Sequence, residues 1–473
     1  MSTLTTQPRS KLRQRNLSDD LLYLIFHIAC VDWNWTTNPV RYDRTKGRRS
    51  PFLDPSRTVF RISGVCRQWR ELAHYSPRLW TDIRIPSLFS ADSPFTRAQV
   101  IQWLDNLLTR SASLPLDIQF YYIDNPKGML YTLLFRQLLQ HASRWRFFQA
   151  TTRAECPELF DTLSHPLPSL TEVHLSLVRS SLSFTSSSSV TLPEQGYLQQ
   201  AFALQQLTVS RLPIRRKVIG QPLMQLQQLM VDLPDLWSVE DVLASLRGMP
   251  ALRQLTVKAA NINHDVLSRD QFASPEPVVL LPALELFELV GDATQLFERG
   301  PLDAPCLQEL ILRDAKWNCP EIISAFLSQC ERLHTLRVSG IGTFWTTASG
   351  VMVLRNAELV HTVEIGRGVL SLNLCQAMAE PLNPLWPHVT RFDFAQCRIL
   401  PDAIAHRLVA VLGFRMGMPV DKRRWTGDLI TSIEVPDNLP SKCIGVLARV
   451  ADVMDVSLEG MDSELLPSTA SVF

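Results

Sequence analysis

The sequence predicts an α/β chain: a short helical module at the amino terminus, then a long file of parallel strands separated by helices. Three observations carry the expectation. Two apolar helical stretches stand near the start, ten apolar triplets spaced at x, x+3 and x+5 follow between Leu170 and Val435, and helix-like sequence fills the intervals. The 473 residues are 46% hydrophobic and 20% charged, enough apolar matter for a large core and too much for a disordered chain. Because 47 Lys and Arg oppose 46 Asp and Glu, no basic field draws the chain onto nucleic acid or an anionic membrane, and neither is expected as a partner. Only 18 Gly stand against 31 Pro, which leaves few glycine-rich loops to cradle phosphates.

Residues 1–16 carry Arg9, Lys11, Arg13 and Arg15 with no acid and little apolar matter, and read as a disordered basic tail. Ser18 is placed to cap a helix whose first turn holds Asp19 and Asp20, acids where the helix dipole favours them. Leu21, Leu22, Leu24, Ile25, Phe26, Ile28 and Ala29 follow, so this helix is apolar on nearly every side. A second helix is expected over about Ser56 to Ala73, where Val59, Ile62, Cys66, Trp69 and Ala73 step 3, 4, 3, 4 along one stripe. Two such helices cannot bury the first one on all sides. Such a module either packs on the rest of the chain or offers an apolar face to another protein.

These residues resemble a known family. Leu17-Ser18-Asp19-Asp20-Leu21-Leu22 with Ile25-Phe26, then Val65-Cys66-Arg67-x-Trp69-Arg70, then Pro77-x-Leu79-Trp80, resembles the F-box, as in the large fungal F-box sets. The F-box is the helical module that docks onto the small adaptor subunit of SCF-type ubiquitin ligases. The sequence departs from that pattern in two places. Ser18 stands where a proline is usual, and an insert at about 32–55 separates the two helices. The resemblance implies adaptor contacts at Leu17, Leu21, Leu22, Ile25, Phe26, Val65, Cys66, Trp69, Leu79 and Trp80, within a module spanning 17–85.

Beyond it, residues 86–160 read as atypical capping repeats and 161–473 as a solenoid. In the capping region Pro94 leads the helical Val100 to Leu108, Leu116 to Phe120 alternates as a strand, and Leu130 to Ala142 reads as a helix. The triplets begin Leu170, Val173, Leu175 and run through Leu204, Leu226, Leu252, Leu284, Leu307, Leu333, Val360, Val389 and Ile430 as first members. From Leu204 the intervals are 22, 26, 32, 23, 26, 27, 29 and 41 residues, and the whole resembles an irregular leucine-rich repeat. Strand residues two apart share a face, so Leu255 and Val257 point inward and the residues between them point out. That outward set makes a polar concave sheet and supplies a candidate substrate face: Gln254, Thr256, Lys258, Glu309, Ile311, Arg313, Thr335 and Arg337. Helices are expected on the other side, opened by Ser238 with Asp241 and by Asn318 with Glu321. The place eight after each first leucine, normally Asn or Cys in such repeats, is Cys only at Cys397. A doubly wound sheet or a barrel is the alternative architecture.

No spacing for chemistry stands out. The chain has no G-x-S-x-G, G-x-x-x-x-G-K-[ST] or H-E-x-x-H pattern, and no G-x-G-x-x-G after a strand. Nine Cys without a C-x-x-C pair fit neither a disulfide framework nor a zinc ribbon, and read as reduced, buried thiols. Cys319, Cys330 and His334 make a weak zinc set, and Asp402 with His406 a surface pair. Neither a catalytic site, a metal nor a cofactor is expected. The longest apolar run, Leu21 to Val31, falls short of the ~18 residues that span a bilayer, so a cytoplasmic or nuclear protein is expected.

The two resemblances together imply a non-enzymatic substrate receptor. The module would hold the adaptor and through it a cullin scaffold, while the solenoid would hold a protein substrate for degradation. A repeat scaffold with no ligase attached, and an α/β enzyme with an unrecognised site, are the alternatives.

Overall fold

A computed structural model describes residues 18–30, 55–85, 96–123, 129–152, 157–177, 198, 200–210, 223–233, 239–259, 278–291, 302–314, 320–340, 347–366, 371–380, 384–397, 402–415, 428–435, 439–454 and 456–459. The chain divides into two compact units, 1–150 and 151–473. The stretch expected to cap the solenoid therefore clusters mostly with the amino-terminal module. The basic tail, Leu17, most of the 32–55 insert and the serine run at 180–189 lie outside the described residues.

The first unit opens with α1 (Asp19–Cys30), α2 (Pro55–Val65), α3 (Arg67–His74) and a 3₁₀ turn at Pro77–Trp80. Ser18 caps α1 as expected, its hydroxyl accepting the Leu21 amide at 3.4 Å. The single helix expected over 56–73 is instead two, broken at Cys66. There the backbone is extended (φ −154°, ψ 175°), and the Cys66 thiol accepts the Trp69 amide as the cap of α3. The break lets α3 fold back against α2, and Val59, Ile62 and Ala73 of the expected stripe are buried.

The unit continues as β1 (Asp82–Ile85), α4 (Arg97–Arg110), β2 (Leu116–Ile123), α5 (Met129–Leu139) and β3 (Trp145–Thr152). β1 pairs with β2 in parallel and β3 lies on the other side of β2. α4 starts at a capping box of Thr96 and Gln99, two residues after the expected Pro94. Two tryptophans repeat one device at helix ends, where carbonyls have no intrahelical partner. The Trp80 indole donates to the Ala73 carbonyl at 2.8 Å, and the Trp145 indole to the Leu138 carbonyl at 3.2 Å. Phe120, Phe135 and Phe148 fill the core between, with Phe120 and Phe135 centroids 4.7 Å apart.

The second unit is a file of strand units. In chain order it runs α6 (Pro157–Leu163), β4 (Glu172–Leu177), β5 (Gln206–Ser210), β6 (Gln228–Leu233), α7 (Val239–Leu246), β7 (Gln254–Ala259), β8 (Val279–Leu280), β9 (Leu286–Gly291), β10 (Leu302–Asp303) and β11 (Glu309–Arg313). It continues as α8 (Pro320–Gln329), β12 (Thr335–Ser339), α9 (Ala348–Leu354), β13 (Thr362–Gly366), α10 (Leu372–Met378), β14 (Arg391–Asp393), α11 (Asp402–Arg415), β15 (Ser432–Glu434), α12 (Ser441–Met454) and β16 (Ser457–Glu459). β8 and β10 form a small separate sheet. The other strands make one parallel sheet in the order of the chain, with no reversal, so the doubly wound alternative falls.

The expected triplets build this sheet. All thirty of their residues are buried except Ile365, which is half-buried. They share one register: Leu207, Leu229, Leu255, Phe287, Leu310, Leu336, Val363, Phe392 and Ile433 stand side by side on successive strands. Helices cover this inward row, as the ring contact between Phe287 and Phe326 of α8 shows. Toward the carboxyl end, α8 to α12 pack in succession. Ser238 and Asn318, the expected caps, lie outside the described residues, while Thr347 and Ser371 cap α9 and α10. Cys397 fills the ladder role foreseen for its position. Its buried thiol donates to the Ile365 carbonyl at 2.7 Å, and burial pushes its pKa up to about 12, which keeps the proton on the donor. Strand exits turn through left-handed backbone at Gly291 (φ +73°) and Gly340 (φ +120°). A Cβ on Gly291 would sit 2.1 Å from the Ala259 carbonyl oxygen.

One buried cation holds the carboxyl-terminal rungs. Arg415, the last residue of α11, has no exposure and donates to the carbonyls of Trp386 (2.7 Å), Leu385 and Val389 (both 3.4 Å), with its guanidinium 5.1 Å from the Phe392 centroid. Burial lowers its pKa to about 10, so it remains charged at neutral pH. Arg415→Met leaves those carbonyls buried without their donor. Urea denaturation should show a loss of roughly 3 kcal/mol, and an unchanged midpoint would remove Arg415 from this role.

A pH effect is expected from His141. Burial, and secondarily Arg144, hold its pKa below the ordinary 6.5, and Arg144 Nη1 donates to its Nδ1 at 3.3 Å, which requires the neutral ring. A folded-state pKa below the unfolded one means that stability is full above pH 6.5 and is lost as pH falls through the lowered value. Melting temperatures should fall between pH 7 and pH 5, less steeply in His141→Gln, and equal slopes would contradict this.

Candidate functional site

Two surfaces present side chains that the fold leaves uncovered among the described residues. The first is α1. Its helical period sorts the apolar residues into two sets: Leu22 and Phe26 turn inward and are buried, while Leu21 (49% exposed), Leu24 (53%), Ile25 (46%) and Ile28 (52%) turn outward. Phe26 meets the Trp69 ring edge-on at 4.9 Å, and Gln68 of α3 donates to the Asp19 carboxylate at 2.8 Å, so α1 is held at both ends of its inner face. Behind it Trp80 is fully buried, packed on Phe60 at 5.1 Å and covered by the Arg110 guanidinium at 4.4 Å.

This geometry corrects the contact set implied by the sequence. Leu22, Phe26, Leu79 and Trp80 are buried in the module's own core in the free chain. Trp69 is half-buried against Phe26, and Leu17 lies outside the described residues. Leu21, Ile25, Val65 (61% exposed) and Cys66 do reach the surface. Leu24 and Ile28 belong with them. Their signal was legible in the 3–4 spacing from Leu21 through Leu24 and Ile25 to Ile28, once the inward side of the helix is known.

The second surface is the outward row of the parallel sheet. Charges there pair across neighbouring strands. Arg313 meets Glu288 at 2.9 Å, Arg337 meets both Glu309 (2.9 Å) and Glu364 (3.0 Å), and Arg391 meets Glu434 at 2.9 Å. Of the expected substrate face, Gln254, Arg313 and Arg337 are exposed, and Lys258, Glu309 and Thr335 are half-buried. Thr256 and Ile311 are buried, contrary to expectation. Each sits in the middle of its strand between long neighbours in register, Thr256 between Met230 and Glu288, Ile311 between Glu288 and Arg337. The stems of those neighbours cover the shorter side chain, and Thr256 donates its hydroxyl to Glu288 at 3.2 Å.

The residues weighed for chemistry are not drawn together. Burial pushes the Cys330 thiol up to about 12 and it donates to the Phe326 carbonyl, while His334 is exposed and Cys319 lies outside the described residues. His406 Nδ1 lies 3.6 Å from the buried Cys443 sulfur. Among the described residues no group of three His, Cys, Asp or Glu side chains has the geometry to hold a metal ion, and no helix is long and apolar enough to cross a membrane. The basic triplets at 215–217 and 422–424 lie outside the described residues. No known family and no curated protein matches the chain.

Buried and outward positions of α1 should respond oppositely to charge. Leu22→Asp places a carboxylate in the module core and should cost about 4 kcal/mol, opening residues 18–80 to limited proteolysis. Leu21→Asp should stay within about 0.5 kcal/mol of the parent. Equal protease resistance of the two variants would contradict the assigned orientation of α1.

Proposed function

We propose that the chain is the substrate-recognition subunit of an SCF-type ubiquitin ligase, with residues 17–85 acting as an F-box-like adaptor-docking module. In this reading the second unit is an irregular leucine-rich-repeat solenoid whose outward sheet face receives a protein substrate. The observation that carries the reading is the outward apolar face of α1. Four large side chains, each about half exposed, stand on one helix that is anchored from behind by an aromatic core. Covering the rest of each contributes about 1 kcal/mol, so the patch supplies about 4 kcal/mol to an association while contributing little to the free chain. An amphipathic helix with an apolar face turned to solvent is the arrangement by which helical modules dock in a partner's groove. Val65 and Cys66, at the α2–α3 break, add exposed surface where the family motif places contacts.

The chain then makes and breaks no bonds. Its contribution is to raise the effective concentration of a substrate lysine near the conjugating machinery carried by other subunits. Ser18 supports the departure from the usual proline, since it caps α1 directly.

Co-expression with the adaptor subunit, followed by size-exclusion chromatography at physiological salt, tests this. A one-to-one complex is expected, and the double variant Leu21→Asp, Ile25→Asp should remain folded and lose it. A complex that survives the double variant, or none with the parent chain, would overturn the assignment.

A further inference from the structure

The outward sheet face is chemically divided along its length. From β9 to β15 Arg313, Arg337 and Arg391 and the glutamates facing them are held in the ion pairs described above, and Asp393 accepts the Ala395 amide at 2.9 Å. From β5 to β7 it is built differently. Gln206, Gln228 and Gln254 stand in register on adjacent strands, with Thr208, Met230 and Thr256 as the next row along the same face. Gln205 and Gln227 precede the first two and are exposed. Among the described residues the side-chain amides of these five glutamines make no hydrogen bond, and no charged side chain stands among them. Beside them, in the turns that enter β5 and β6, Phe202 (69% exposed) and Met224 (56%) project at equivalent places, two residues before Leu204 and Leu226, and Met230 is 37% exposed. Charges flank the block and are mostly engaged already: Glu172 and His174 of β4, in register with Gln206 and Thr208, approach each other at 2.6 Å, Glu288 of β9 takes the Thr256 hydroxyl and Arg313, Asp232 takes the Ser210 hydroxyl, Arg253 lies 3.5 Å from Glu285, and Lys258 stands at a strand end.

We propose that this block, Gln206, Gln228, Gln254, Met230, Phe202 and Met224, is the site on the sheet that holds a polypeptide partner, and that the bound segment is extended, uncharged and carries apolar side chains. The proposal rests on the substrate-receptor reading only in supplying a protein partner for the sheet. Charge matching selects the occupant. A charged segment laid on this block would lose hydration over the uncharged amides and meet, at the borders, mostly charges that already have partners, and at β9 to β15 it would have to displace an arginine or a carboxylate from an existing pair. A primary amide offers a donor and an acceptor together, which is what a peptide group needs, and a row of them one strand spacing apart (about 4.8 Å) serves a backbone without regard to its side chains. Phe202 and Met224 then provide apolar contact area at one border of the amide row.

The test uses the full chain with its adaptor and fluorescent peptides of three compositions: Ser, Thr, Gln, Leu and Phe only, the same with Lys, and the same with Glu. The uncharged peptides are expected to raise anisotropy with little dependence on salt. Gln254→Lys and Met230→Lys, both at exposed positions, should each weaken them about tenfold, while Arg337→Gln leaves them unchanged. Preferential binding of either charged composition, loss of binding in Arg337→Gln, or no binding of any peptide would overturn the proposal. Adaptor assembly is read in the same preparation, so peptide failure with an intact complex sinks this site alone, and peptide binding without a complex sinks the receptor assignment alone.

Discussion

The second unit depends on one repeated backbone contact at the entrance to each strand. The carbonyl of Thr171 accepts both the Gln205 and Gln206 amides, that of Gln205 accepts Gln227 and Gln228, and that of Gln227 accepts Arg253 and Gln254. The pattern continues through Arg253, Glu285, Gln308, His334, His361 and Thr390, each carbonyl taking two amides of the next rung. A one-residue slip would break that contact and turn every inward leucine to the surface, so the ladder and the apolar rows enforce the same register. Intervals between triplets vary from 22 to 41 residues, yet the register holds, because the varied length is absorbed between strands.

That fixed register also decides what the outward face can do. Residues at equivalent places meet across neighbouring strands, so the kind of side chain at each rung determines whether the face is closed on itself or open to a partner. Where Glu288, Glu309, Glu364 and Glu434 alternate with Arg313, Arg337 and Arg391, the polar capacity is taken up within the sheet. Where glutamines repeat, it is not. Exposed ion pairs of this kind contribute little to stability individually.

The inward rows were legible in the sequence because a strand's period of two and the recurrence of the triplet need no knowledge of distant contacts, as Leu255 and Val257 illustrate. The Ser18 cap and the ladder role of Cys397 were legible for the same local reason. The break at Cys66 was not, because the apolar stripe from Val59 to Ala73 keeps a helical step through it, and only the packing of α3 against α2 rewards the turn. Nor were the burial of Thr256 and Ile311, which follows from the length of neighbours on other strands. For α1, the composition announced that one face lacked cover. Which residues form that face required the position of Trp69, since Phe26 turns inward to meet its ring.

The proposed docking role requires that the outward residues of α1 be uncovered in the free chain and covered by a partner. Hydroxyl-radical footprinting reads side-chain accessibility directly. In the free chain Leu21, Leu24, Ile25 and Ile28 should be oxidised while Leu22 and Phe26 are spared, and addition of the adaptor subunit should protect the first four. Protection of Leu21 and Ile25 already in the free chain would show that the protein covers this face itself, and would contradict the claim.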